Sequence, residues 1–263
     1  MDIFLVIGII TGILAVVVGM IVKGANVAVL LNPAAAIIIL VGTTAAVMNS
    51  FPKEEFLNIP KILKVLFKNR KTDNPVAIIN QLVDMSHQTR KNGLLSMENT
   101  LQSLDNEFMK KGLEMVVDGV EPQYIIEVLE LEIENREERH RAGASIMTTA
   151  GGSAPTLGVL GAVIGLIGAL GNLNDTEKLG HMIAAAFVAT LYGIFLGYVI
   201  CHPFASRLKR KSQEEIRTMH IIMSGVLAIQ SGSNPKSIEQ KLVSMLPPKL
   251  RKSMEKDSES KGD

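Results

Sequence analysis

Residues 151–171 read GGSAPTLGVLGAVIGLIGALG, with seven glycines, one proline (Pro155) and no charge. Gly158, Gly161, Gly165 and Gly168 recur at i, i+3, i+7 and i+10, so a helix lines them along one face. In water a glycine inside a helix costs about 1 kcal/mol relative to alanine, and a soluble core helix has little reason to repeat that cost along one stripe. In lipid the balance changes, because small residues let a neighbouring helix approach and gain dispersion contact. The stripe reads as a seat for another helix within a membrane.

The distribution of charge extends that reading to the whole chain. The 263 residues carry 27 Lys+Arg and 26 Asp+Glu, a balance that gives no footprint for nucleic acid. Uncharged windows run over residues 3–22, 24–52, 142–174 and 179–206. Each is long enough to cross the hydrocarbon, which takes about 20 apolar residues. The first window lacks the basic start and small-residue cleavage pattern of a signal peptide and reads as a retained span. The single cysteine, Cys201, lies in an apolar window, which excludes an internal disulfide and makes it a packing residue.

Basic residues set the orientation. Of the 27, 13 lie in 53–141 and 12 in 207–263, leaving Lys23 and Lys178. The positive-inside rule then places both polar segments, and both termini, in the cytoplasm. The expected organisation is an all-α integral membrane protein. Residues 1–52 hold transmembrane helices 1 and 2, 53–141 a helical cytoplasmic domain inserted between spans 2 and 3, 142–206 transmembrane helices 3 and 4, and 207–263 cytoplasmic helices and a disordered tail.

Local signals refine this plan. Asn32-Pro33 opens the second span, because proline suits the first helical turn. In the amphipathic run 56–68, Leu63, Leu66 and Phe67 share a side. Asp73-Asn74-Pro75 caps a helix to about Lys91, stopped by Asn92-Gly93. The next helix runs from Leu94 towards a turn at Asp118-Gly119, with Leu95, Leu101 and Leu104 as core contacts. A long helix from Pro122 meets no breaker as its charges end at Arg141, so it is expected to continue into the membrane. Ala186, Thr190, Gly193 and Gly197 form a second small-residue face on the fourth span. At Pro203 a kink or break is expected. A helix then runs to about Gln230, followed by turns at 232–235 and 247–248, and KDSESKGD at 256–263 has a disordered composition.

No nucleotide loop, metal-ligand spacing or internal repeat is present, so the sequence gives no support for an enzyme. Ion-translocating proteins usually hold an acid, histidine or lysine at membrane depth. Here His181 and His202 fall at opposite ends of the fourth span, where histidines are mostly solvated. Hydroxyls of Thr148, Thr149, Thr156 and Thr190 commonly bond back to helix carbonyls. If protons pass, a partner helix must bring the acid.

The segments APTLGVLGAVIGLIGALG (154–171), AAFVATLYGIFLGY (185–198) and HPFASRLKRKS (202–212) resemble the MotA family, the stator subunits of the bacterial flagellar motor. RKNGLLSMEN (90–99) and VDG (117–119) match the same family, and the likeness covers nearly the whole chain. The resemblance implies a homopentamer in the cytoplasmic membrane around a single-span MotB-like partner anchored to peptidoglycan. The partner's transmembrane Asp would carry the proton, and ion flow would turn a switch-ring rotor.

It further implies an ion-pathway or partner-helix-facing set of Pro155, Gly158, Gly161, Ala162, Gly165, Ala186, Thr190 and Gly193, a hinge at Pro203, and rotor contact by Arg90 and Glu98. No cofactor or metal is expected. Sodium-driven relatives tend to carry threonine where this chain has Ala162, whose methyl cannot ligate a hard cation, so the transported ion is expected to be H+ rather than Na+. The rival is an ExbB/TolQ-like energiser, a group that usually has three spans and its large polar segment after the first. A self-contained transporter would need repeats or an intramembrane polar site.

Overall fold

The computed structural model describes residues 3–67 and 74–259, which fold into helices and the turns between them. The chain divides into two compact units, residues 1–69 with 140–210 and residues 70–139 with 211–263.

The first unit begins with α1 (Ile3–Val22) and α2 (Pro33–Ser50). Between them a short 3₁₀ turn, Val27–Leu30, is capped by Asn26, and α2 is capped by Asn32, whose side chain accepts from the Ala35 N–H at 3.0 Å. Two short helices follow, α3 (Lys53–Leu57) and α4 (Ile59–Phe67). They belong to this apolar unit, although the charge distribution grouped them with 53–141. The reason is the apolar face of α4. Leu66 is fully buried, Leu63 and Phe67 pack beside it, and the Phe67 ring meets Phe204 edge-on at 5.9 Å. The unit is completed by the later part of α8 (Pro122–Leu170), by α9 (Thr176–Ile194), and by the start of α10 (His202–Gln230).

Four stretches of the described residues are long and apolar enough to cross a membrane: Ile3–Val22, Val27–Ser50, Pro122–Leu170 and Thr176–Gln230. Their outward residues are large and apolar, including Ile10, Ile37, Ile167 and Phe187. That is what a lipid solvent requires, since backbone groups are satisfied within each helix and side chains need no polar cover.

Of the kink or break expected at Pro203, no break occurs. Residues Phe195–Cys201 form a π-helical segment that joins α9 to α10, and the His202 N–H donates to the Gly197 carbonyl, five residues back. The wider turn absorbs the hydrogen-bond register that a proline disrupts, so the rod continues.

The second unit holds α5 (Pro75–Asn92), α6 (Glu98–Gln102), α7 (Glu107–Val117), the first part of α8, the later part of α10, α11 (Pro235–Ser244) and α12 (Pro248–Glu259). Its core is built from large side chains, with Ile79, Leu82, Met97, Leu113, Ile125, Leu129, Ile222 and Val226 fully buried. Asn74, Asn106 and Asn234 cap α5, α7 and α11 through their side-chain oxygens. Gly93, Gly119 and Gly232 turn the chain at positive φ, a region that costs glycine nothing.

Three expectations change here. The helix expected from Leu94 splits into a 3₁₀ turn, α6 and α7, because Asn106 caps a new start. Leu101 and Leu104 are buried as expected, but Leu95 is 70% exposed. The tail is helical through Glu259, while residues 260–263, and the expected Lys68 and Asp73 positions, lie outside the described residues.

Candidate functional site

The two small-residue stripes meet each other. A Cβ built on Gly158 would lie 3.1 Å from the Ala189 carbonyl oxygen, 3.2 Å from the Thr190 Cα and 3.3 Å from the Gly193 Cα. A Cβ on Gly161 would lie 2.9 Å from the Ala189 methyl and one on Gly165 2.8 Å from the Ala186 methyl, and one on Gly168 would run into the Met182 side chain. On the other helix, a Cβ on Gly193 would lie 2.5 Å from the Ala154 carbonyl oxygen and 3.0 Å from the Gly158 Cα. Ascending positions on α8 face descending positions on α9, so the helices run antiparallel and touch backbone to backbone.

The stripe's reading as a seat for another helix is met within the chain itself, where the fourth span takes that seat. Gly158, Gly161, Ala186 and Gly193 are buried, and Gly165 is half-buried, all against the chain's own other span. The physical reason is reciprocity. Two glycine-lined faces in one chain gain more contact by closing on each other than either gains against larger side chains. The close approach also permits Cα–H···O contacts, each worth about 0.5–1 kcal/mol.

Besides the half-buried Gly165, three members of the expected set keep partial exposure: Pro155, Ala162 and Thr190. Pro155 lies inside α8, which continues through it to Leu170. Its ring packs on Gly197 of the π-helical segment. Thr190 points its hydroxyl at the Gly158 carbonyl at 3.4 Å, a long bond across the helix pair rather than a bond to its own helix. Thr148 and Thr156 do bond back, to Ala144 and Ser153. Pro203 is exposed at the second residue of α10.

Around this pair the outer turns are anchored by polar groups. The Tyr192 hydroxyl donates to the Leu30 carbonyl, holding α9 to the turn between α1 and α2. Asp175 caps α9 by accepting from the Lys178 N–H at 3.0 Å. Between Arg141 and Asp175 the sequence has no ionisable side chain, so the α8 face has no proton carrier of its own. No cluster of metal-ligating side chains occurs among the described residues.

The other two expected site residues lie in the second unit. Arg90 is in the last turn of α5 and Glu98 opens α6, on either side of the turn at Gly93. Gln88 fixes that turn by donating to the Ser96 carbonyl at 2.8 Å. Both charges are exposed, and neither takes part in an ion pair among the described residues. Elsewhere Arg136 binds Glu215 at 3.0 Å and Glu132 at 3.7 Å, and Lys111 binds Glu132 at 2.8 Å.

The reading of the sequence missed two contacts at the helix pair. Gly197 sits under the Pro155 ring, and the His202 ring covers Gly151, where a Cβ would lie 3.0 Å from it. The four-residue step from Gly193 to Gly197, matched by that from Gly151 to Pro155, was the available signal.

Together these features define a four-span helical membrane protein whose third and fourth spans form a glycine-packed pair, with a second, charge-bearing helical unit. Residues 100–221 match the model of the MotA/TolQ/ExbB proton channel family. The chain is 47% identical to Motility protein A of Bacillus subtilis (strain 168) over 251 residues, 95% of this chain and 93% of that one. It superposes with a TM-score of 0.89 on a chain of the flagellar MotAB stator complex from B. subtilis, at 47% identity, covering 95% of this chain and 98% of that one. With a chain of C. jejuni MotAB the TM-score is 0.90 at 31% identity, covering 94% and 97%. The chain belongs to the MotA/TolQ/ExbB proton channel family.

Proposed function

We propose that this chain is a stator subunit of a bacterial flagellar motor, which with a MotB-like single-span partner forms an ion channel that converts ion flow into torque. The observation that carries this reading is the end-to-end likeness, in sequence and in fold, to a chain of a flagellar stator complex. A shared fold alone would leave the energisers of the same family open. The large polar segment after the second span argues for a stator.

In this reading the subunit acts in the cytoplasmic membrane as a homopentamer around the partner, with both termini and the second unit in the cytoplasm. The partner's transmembrane Asp brings the proton to the partly exposed Pro155, Thr190 and Ala162. One charge crossing 100 mV supplies about 2.3 kcal/mol. Each small-residue contact along α8 and α9 is worth a fraction of that, so proton passage is sufficient to repack one against the other. Arg90 and Glu98, exposed and without an ion pair among the described residues, deliver the motion to the rotor's switch ring as complementary charges.

The ion is H+ in this proposal, because the Ala162 methyl offers no oxygen and Thr190 alone makes a poor sodium site. The test is rotation of tethered cells that lack their own stator genes and express this chain with its cognate partner. Rotation in sodium-free medium that a protonophore stops is the expected result. Rotation only with added sodium would overturn the ion assignment. An assembled complex that turns no motor in either medium would overturn the stator reading.

A further inference from the structure

The α8–α9 pair contains two departures from regular α-helix, and they face each other. In α8, Pro155 has no N–H, so the Gly151 carbonyl receives no bond from the residue four positions on. In the opposite rod, Phe195–Cys201 is π-helical. Gly197 lies in that π-helical segment, against the Pro155 ring. A Cβ built on Gly197 would lie 2.6 Å from the Gly151 carbonyl oxygen and 2.9 Å from both Cγ and Cδ of the Pro155 ring. One Hα of Gly197 therefore points at the carbonyl that the proline leaves without its usual donor, a weak C–H···O replacement.

We infer that Gly197 is a positioning residue for Pro155: the π-helical turn and the proline are one mechanical unit, in which the turn's extra width holds the ring and its glycine lets the ring lie on bare backbone. This rests on the stator reading above and deepens it. π-Helical turns are insertions of one residue's worth of register, and they concentrate at functional sites because little holds them in place. A displacement of the Pro155 ring has a direct recipient in Gly197. The Gly197 carbonyl is in turn bonded to the N–H of His202, the first residue of α10. No side chain intervenes along this line, so the motion passes from α8 to α10 through atoms that cannot rotate out of the way.

Gly197→Ala tests this. The added methyl overlaps a carbonyl and a ring, neither of which can rotate out of the way, so the ring and its helix must shift as a body. The complex with its partner is expected to reach the membrane, and the measurement is bead rotation resolved into the discrete speed increments of single stators. We expect the increment per stator to fall by at least about tenfold, with Gly8→Ala, whose surroundings are open, unchanged. Fewer increments of normal size would overturn the inference, because a purely structural defect lowers the number of working stators and not the output of each.

A second measurement does not depend on rotation or on Gly197 folding well. In the purified complex with its partner, Pro155→Ala restores an N–H to α8 and removes the ring. Amide hydrogen exchange in peptides covering 195–203 is then expected to slow by at least about threefold as the turn tightens towards α-helix. Unchanged exchange there would overturn the linkage. If the unaltered complex assembles and turns no motor, the stator reading falls, and the exchange result still decides whether Pro155 and the π-helical turn move as one.

Discussion

The two units solve the same packing problem with opposite materials. In the second unit, helices are held apart by side chains. Leu82, Leu113, Leu129 and Ile222 are fully buried, and where a glycine occurs it accommodates a neighbour's side chain, as Gly112 does for Val226 and Gly225 for Leu82. In the first unit, α8 and α9 meet through glycine, alanine methyls and main chain, closest where Gly158 faces the Ala189 carbonyl and the Gly193 Cα. The difference follows from the solvent. Beside water, burying a leucine removes apolar surface and stabilises by about 1.5–3 kcal/mol. In lipid that gain vanishes, and what remains is contact density between backbones.

The largest break in this comparison is expected from adding a side chain to the backbone contact. Gly158→Val sets methyls against the Ala189 carbonyl and the Gly193 Cα, and cannot be relieved by a rotamer change. We expect assembly with the partner, read by co-purification from membranes, to fall more than tenfold. Gly112→Ala, whose Cβ would meet only side-chain methyls at 3.2–3.4 Å, should assemble nearly as the unaltered chain does.

The inverse experiment removes side chain instead. Leu82→Ala is expected to lower the stability of the second unit by about 2–5 kcal/mol, seen as a lower thermal midpoint of the full chain in nanodiscs. Ile167→Ala, at a residue 65% exposed on α8, should leave that midpoint within about 1 °C, because lipid replaces what the side chain touched. A large drop for Ile167→Ala would show that its face is covered by protein.

Polar contacts give smaller effects. Arg136→Ala loses its pairs to Glu215 and Glu132, both partly solvated, and is expected to cost about 1 kcal/mol, diminishing in high salt. Thr190→Val removes one long hydroxyl bond across the helix pair. We expect about 0.6 kcal/mol or less in stability, so any stronger loss of rotation would report on the ion pathway rather than on packing.

What was legible in the sequence depended on range. Chain-local signals read directly: Asn32 and Pro33, Asn74 and Pro75, and Asn234 with Pro235 open helices, while Gly93, Gly119 and Gly232 close them. Charge-free windows gave the four spans because hydrocarbon thickness sets their length. The glycine stripes were also plain, but a stripe states that something comes close and not what. Two stripes in one chain fit a partner helix or each other equally well, and the contact geometry shows that within this chain they meet each other. Pro203 predicted a break by a rule that allows no relief, whereas a π-helical turn supplies that relief and leaves no compositional mark. Asn106 caps α7 two residues after Leu104, where the spaced leucines from Leu94 suggested one continuous helix.

Cys201, the only cysteine in the chain, ends that π-helical turn and is buried among Ala150, Phe204 and Ala205. The outer surface therefore carries no thiol, and any cysteine introduced on it becomes a unique chemical handle. A dye pair attached at positions such as 90 and 124, both exposed, would sit on the unmodified background of the native protein. The molecule is ready for single-particle fluorescence without first being stripped of a competing reactive group.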